Sequence, residues 1–249
     1  MDPSIRILDD EPACNRAAAA EFVRIAKESV CASGRFTVAL SGGSTPRGLY
    51  SMLAGDRSFR DNIPWKDTHF FWGDERHVPP DDAESNYRMA MEAMLSLVPV
   101  PSANIHRIHG ERSDAREAAK EYEAELRRFF QPAEGQLPQF DLILLGMGSD
   151  GHTAGLLPGT TALSERSKLV VQSLVESTHA ERITMTVPLL NNAAFILFLV
   201  TGENKAAALH DVLQSNGRRE LLPAQLIRPV SGKLLWLIDC AAASMLHRP

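Results

Sequence analysis

The sequence predicts an α/β fold, a mostly parallel sheet between layers of helices. Three observations predict it. Two apolar runs, residues 142–145 and 194–200, are continuous rather than alternating, as strands covered on both faces must be. Segments of helical spacing alternate with strand-like runs along the whole chain, the order that parallel strands with helical crossovers require. The strand-like runs also pass straight into turns of Gly, Ser, Thr and charged residues. That is the end of an open α/β sheet where ligands bind.

The elements follow in order. Residues 5–8 form a short strand, and residues 13–30 carry Ala17, Ala20, Phe22, Val23, Ile25 and Ala26 at mostly helical spacing. Gly34 ends that helix. Residues 35–40 are a strand running into Ser41-Gly42-Gly43-Ser44-Thr45-Pro46. Pro46 suits the first helical position, with Thr45 or Ser44 as N-cap and a helix over residues 47–53. Residues 69–72 are a strand in which Phe71 and Trp72 belong to the core. The charged Asp74-Glu75-Arg76 beyond it is either a surface loop with an internal ion pair or a placement of a carboxylate and a guanidinium on a ligand, and a helix opens at Ser85 and reaches about Leu97. Residues 114–130 form a long charged helix and 131–139 a linker. Residues 181–187 alternate, with Arg182, Thr184 and Thr186 on one side, and are expected beside the strand 194–200. A helix through Leu213, a last helix near 223–227 and a strand over 233–238 complete the chain. No internal repeat interrupts it, so one domain over residues 1–249 is expected.

Composition narrows the function. The chain has 249 residues, 44% hydrophobic and 23% charged, with a net charge of −5, which is ordinary globular composition. The acidic balance argues against a broad nucleic-acid or acidic-membrane surface but leaves room for a small basic pocket. Cys14, Cys31 and Cys240 are far apart and odd in number, which suits a reducing compartment and neither a disulfide framework nor a zinc ribbon. No leader pattern opens the sequence and no apolar run is long enough to span a bilayer. The expectation is a cytoplasmic monomer or small homo-oligomer with no nucleic-acid or membrane partner. His106 and His109 are three apart, without a carboxylate or cysteine close by in sequence. No metal site is expected there.

Two turns carry candidate chemistry. Between the strand at 142–145 and Gly159, Gly146, Gly148 and Gly151 surround Asp150 and His152. A carboxylate and an imidazole on a glycine-rich turn at a strand's carboxyl end make an acid/base candidate; a capped structural loop is the alternative. The Ser41–Thr45 turn precedes a helix, so backbone N–H groups, hydroxyls and the helix dipole converge as an anion site. It is neither a Walker sequence nor GxGxxG. Lys205 in the first turn of a helix is a mismatch with the dipole that points to an anion.

Four segments together resemble the 6-phosphogluconolactonase family: Ser41 to Pro46; Asp74-Glu75-Arg76 with Ser85-Asn86; Gly146 to His152 with Leu157-Pro158; and Arg182 to Pro188. The resemblance spans nearly the whole chain. It implies a modified Rossmann-like three-layer sandwich, shared with glucosamine-6-phosphate deaminases and ribose-5-phosphate isomerases. The implied reaction is hydrolysis of a phosphorylated sugar lactone, 6-phospho-D-glucono-1,5-lactone, without metal or organic cofactor. In that setting His152 is the expected base, imidazole being the side chain whose charge changes nearest neutral pH, and Asp150 orients the ring or stabilises the imidazolium. Arg76 and the backbone N–H groups of the Gly146 and Gly148 turn face the oxyanion, and Asp74 holds sugar hydroxyls or positions Arg76. Arg182, Lys205 and the turn Ser41, Gly42, Gly43, Ser44 and Thr45 hold the phosphate. A deaminase of the same fold would want a glutamate shortly after the histidine, where this chain has Gly155-Leu156-Leu157-Pro158. A non-catalytic sugar-phosphate sensor would be expected to lose His152.

Overall fold

The computed structural model describes residues 3–175, 180–214 and 222–247. Its first half runs β1 (Ser4–Leu8), α1 (Glu11–Ser33), β2 (Phe36–Leu40), α2 (Ser44–Gly55), α3 (Arg57–Arg60), β3 (Thr68–Trp72), β4 (Asp74–Arg76), α4 (Asn86–Ala93) and α5 (Ala115–Phe130). Then come β5 (Leu142–Leu145), β6 (Val170–Val175), β7 (Ala180–Met185), α6 (Val187–Leu190), β8 (Phe195–Val200), α7 (Ala206–Gln214) and β9 (Lys233–Asp239).

Six strands form one sheet in the order β1-β9-β8-β5-β2-β3, and every pairing in it is parallel. The central strands β2, β5 and β8 are buried along their whole length; β5 and β8 are the uninterrupted apolar runs, and β2 carries one polar residue, Thr37. Asp141 sets the register between β2 and β5. Its carboxylate accepts from the Thr37 N–H at 2.8 Å and the Thr37 hydroxyl at 2.6 Å. Successive strand residues point to opposite faces, and the aromatic contacts show what covers each. Phe36 meets Phe22 of α1 edge-on, while Phe71, on the other face, meets Phe129 of α5. Helices therefore lie on both sides of the sheet, the three-layer arrangement expected.

The main departure is a second sheet of three strands, in the order β4-β7-β6 and antiparallel throughout. Residues 74–76 are thus a strand and not a loop. The alternating segment at 181–187 does not lie beside β8; it supplies β7 of this second sheet, and β6 was not anticipated at all. Gly73 is the crossing point. Its N–H donates to Leu40 O of β2, and its carbonyl accepts from Met185 N of β7, both at 2.9 Å.

Element ends also shift. Asp10 caps Ala13 N at 2.8 Å, and Gly34, left-handed at φ 76°, closes the other end, so α1 outruns the apolar pattern by a few residues each way. Helix α2 begins at Ser44 with Gly43 as its cap, so neither Ser44 nor Thr45 caps it and Pro46 is its third residue. Helix α4 stops at Ala93 and a 3-10 turn continues at Leu95–Leu97. The last predicted helix is a 3-10 turn, Pro223–Leu226, and Lys205 closes another, Glu203–Lys205, ahead of α7. Among the described residues no helix is long and apolar enough to cross a membrane.

On the outer edge of the main sheet, His69 Nδ1 lies 3.1 Å from His106 Nε2, and His106 Nδ1 lies 2.9 Å from Glu125. Burial, then the neighbouring His106 and Arg35, hold His69 down at about 4; burial and Arg128 do the same for His106, also to about 4. An unfolded histidine takes up its proton near 6.5, so between about pH 6.5 and 4 the unfolded chain binds protons that the folded one does not. Stability should therefore be lost as pH falls through that window. Thermal melts should show a steeper loss of Tm from pH 6.5 to 5 for the native protein than for His69→Phe. Equal slopes would contradict the assignment.

Candidate functional site

The carboxyl ends of β2, β5 and β8 and one face of the second sheet enclose a cleft of about 170 Å³. All predicted site residues except Asp150 line it: Ser41, Gly42, Gly43, Ser44, Thr45, Asp74, Arg76, Gly146, Gly148, His152, Arg182 and Lys205. They come from five separate stretches of chain. A larger cleft, about 850 Å³, lies where β8 and β9 begin, at Phe195 and Lys233. Among the described residues lining it there is no imidazole, so chemistry rather than size selects the smaller one.

The first wall is the turn after β2. Gly43 takes φ 106°, a region closed to most side chains, and no side chain caps the N-terminus of α2. Its first N–H groups are left without a side-chain acceptor beside the cleft, an arrangement that suits an anion. A buried tyrosine holds the turn. The Tyr50 hydroxyl accepts from Ser41 N at 3.0 Å and donates to Ser41 O at 2.9 Å. Tyr122 does the same for Trp72 at the end of β3, at 2.9 and 3.1 Å. The Thr45 hydroxyl meets that of Thr201 at 3.0 Å, joining this turn to the one after β8. There Asp239 accepts from Gly202 N at 3.0 Å, steadying the turn that carries Lys205.

The second wall is β4 against β7. Arg76 stands directly opposite Arg182, and Asp74 opposite Thr184, so Asp74, Arg76 and Arg182 share the face toward the cleft. Like charges directly opposite are unfavourable. The diagonal Asp74 carboxylate offsets one of them, accepting from Arg182 Nη1 at 3.4 Å. Asp74 thus pairs with Arg182 and not with Arg76. Arg76 Nε is buried with no hydrogen-bond partner among the described residues. Two guanidiniums and Lys205 against one carboxylate leave this side of the cleft positive.

The third wall is the turn after β5. Asp150 Oδ1 lies 2.6 Å from His152 Nδ1 and accepts from His152 N at 3.1 Å. Burial pushes the Asp150 carboxyl up, but the His152 amide and imidazole together bring it below its ordinary value. Near neutral pH it can only accept, so Nδ1 carries the proton and the Nε2 lone pair is open. The Gly148 N–H donates to His152 O at 2.8 Å. A Cβ at Gly148 would lie 2.1 Å from His152 Nδ1 and 2.4 Å from Asp150 Oδ1; only glycine leaves room for the pair. Ala154 sits at φ 48°, and its carbonyl accepts from Arg182 at 3.4 Å, which ties this turn to the second wall. Among the described residues no three His, Cys, Asp or Glu side chains are grouped as a metal site.

A sequence model of the family described as glucosamine-6-phosphate isomerases/6-phosphogluconolactonase matches residues 9–236. The chain belongs to this family. It is 41% identical over 248 residues to a protein of Synechocystis sp. named 6-phosphogluconolactonase, covering 99% of this chain and 100% of that one. The solved 6-phosphogluconolactonase from Trypanosoma cruzi is 30% identical, with a TM-score of 0.86, covering 99% of this chain and 98% of that one. A monomeric glucosamine-6-phosphate deaminase, 22% identical with a TM-score of 0.80 and covering 97% and 99%, shares the fold.

Sequence reasoning missed several contributors. Thr201 lines the cleft, and its place directly after the buried run of β8 is a signal that was available. Asn86, noted only as part of a motif, also lines it. The two tyrosine clasps had no local signal. Substituting Gly148 by Ala should separate Asp150 from His152 while leaving the fold intact, so the downfield Nδ1–H proton resonance of that pair should vanish. Its persistence would contradict the packing described.

Proposed function

We propose that this chain hydrolyses 6-phospho-D-glucono-1,5-lactone to 6-phospho-D-gluconate, a step of the oxidative pentose phosphate pathway. One observation carries the reading: an imidazole held by a carboxylate opens into the same small cleft as two facing arginines. His152 Nε2 takes a proton from water as the water oxygen attacks C1 of the lactone. The carbonyl oxygen becomes an oxyanion, stabilised by Arg76 and the backbone N–H groups of the glycine turn. When the C1–ring oxygen bond breaks, the imidazolium returns its proton to the departing ring oxygen. Asp150 holds the ring in the required tautomer and stabilises the imidazolium.

The phosphate lies against Arg182, Lys205 and the Ser41–Thr45 turn, where charge-assisted hydrogen bonds contribute about 1.5–3 kcal/mol each. The charges used are those of side chains and backbone N–H groups, so no cofactor is needed. Three cysteines outside any disulfide suit a cytoplasmic setting. The deaminase reading lacks its carboxylate: among the described residues lining the cleft Asp74 is the one carboxylate, and it is engaged with Arg182.

The protein should release acid from freshly generated 6-phosphogluconolactone faster than the spontaneous rate, with or without a chelator. No acceleration would sink the assignment, and loss with chelator would sink the metal-free chemistry. His152→Ala should lose turnover and keep product binding; retained turnover would remove it as the base. Arg182→Ala should act mainly on KM, raising it about 10- to 100-fold for the loss of one charge-assisted contact.

A further inference from the structure

Glu75 belongs to the strand that carries Asp74 and Arg76, but alternation turns it to the opposite face, opposite Ile183. It does not line the cleft. It is buried, with only 3% of its surface exposed. In the sequence it resembled a member of a surface ion pair. Instead, Oε1 accepts from Arg76 N at 2.8 Å and from Asn86 N at 2.7 Å. Oε2 accepts from Tyr87 N at 2.8 Å and from the Ser85 hydroxyl at 3.1 Å. The carboxylate therefore sits on the open N–H groups at the start of α4 and ties them to the backbone of Arg76.

We propose that Glu75 is a positioning residue for hydrolysis, holding Arg76 in the cleft by anchoring its main chain to α4. Arg76 needs such an anchor because its Nε has no partner among the described residues; the aim of the guanidinium is set by the backbone from which it springs. The same carboxylate places Asn86, whose Nδ2 donates to Asp74 O at 2.9 Å. The Asn86 side chain fills the space beside Gly42, where an added Cβ would lie 1.8 Å from Oδ1. Asn86 thus packs between the arginine wall and the Ser41–Thr45 turn, which Tyr50 holds independently. Burial pushes the Glu75 carboxyl upward, and the three backbone N–H groups that it accepts from oppose that rise. A buried acid with this many donors is costly to disturb, because removing it orphans them all.

This inference rests on the lactonase reading, and the test separates the two. Glu75→Gln keeps the size but turns an NH₂ group toward one pair of donors. It should lower kcat about 10- to 100-fold, the scale of an ångström-sized misplacement of a catalytic group. KM should change less than threefold, because Arg182 and Lys205 hang from other elements. In an Arg76→Ala background the same substitution should cost less than threefold, since its target is already gone. Unchanged kcat, a loss confined to KM, or an equal loss in both backgrounds would overturn the proposal. If the Gln variant does not fold, Glu75→Asp, which keeps the charge but is one methylene too short to span both pairs, carries the same test with the same outcomes. A native protein without lactonase activity would instead overturn the underlying reading.

Discussion

Two arginines facing each other across an antiparallel pair are the constraint that shapes this cleft. Arg76 and Arg182 occupy opposed positions of β4 and β7, where like charges repel. The fold tolerates this because Asp74 lies diagonally between them and accepts from Arg182. Glu75 grips the Arg76 backbone from behind, and on the cleft side the Ala154 carbonyl accepts from the Arg182 side chain. The remaining positive charge is directed at the cleft and suits an anionic ligand.

The two sheets divide the work. The parallel sheet supplies turns at the carboxyl ends of β2, β5 and β8, each rich in backbone N–H groups or bearing the imidazole. The small antiparallel sheet supplies the guanidiniums. Gly73, bonded to β2 on one side and β7 on the other, keeps the two parts in register. The Tyr50 and Tyr122 clasps close the main-chain groups of Ser41 and Trp72 where those strands run out of ladder partners. Their phenols pay for burial with two hydrogen bonds each. The two arginines therefore stand on strands, while Asp150 and His152 sit in the irregular stretch that follows β5.

Much of this was legible in the chain. Buried parallel strands advertise themselves as unbroken apolar runs, so β5 and β8 and the turns after them could be found locally, and β2 by its β-forming residues. The Asp150–His152 couple lies within three residues and needs no knowledge of the fold. The second sheet was hidden because β4 is only three residues long and wholly charged, and its partner β7 lies about a hundred residues later. Its burial comes from pairing and from Glu75's donors, neither of which leaves a hydrophobic pattern. For the same reason Glu75 could be read as solvent-facing charge, and Asp74 was assigned to sugar hydroxyls or to Arg76, its neighbour in sequence, and not to Arg182 across the sheet. Helix ends moved where a side-chain cap or a glycine at positive φ overrode the apolar spacing, as at Asp10, Gly34 and Gly43.

The account stands or falls on the claim that one end of this cleft reads a phosphate while the other hydrolyses an ester. The most direct measurement compares kcat/KM for 6-phosphogluconolactone with that for the same lactone lacking its phosphate. The native protein should favour the phosphorylated substrate by about 100-fold or more, the worth of two charge-assisted contacts, and Arg182→Ala should remove much of that preference. Equal rates on the two lactones, or a preference untouched by the substitution, would contradict it.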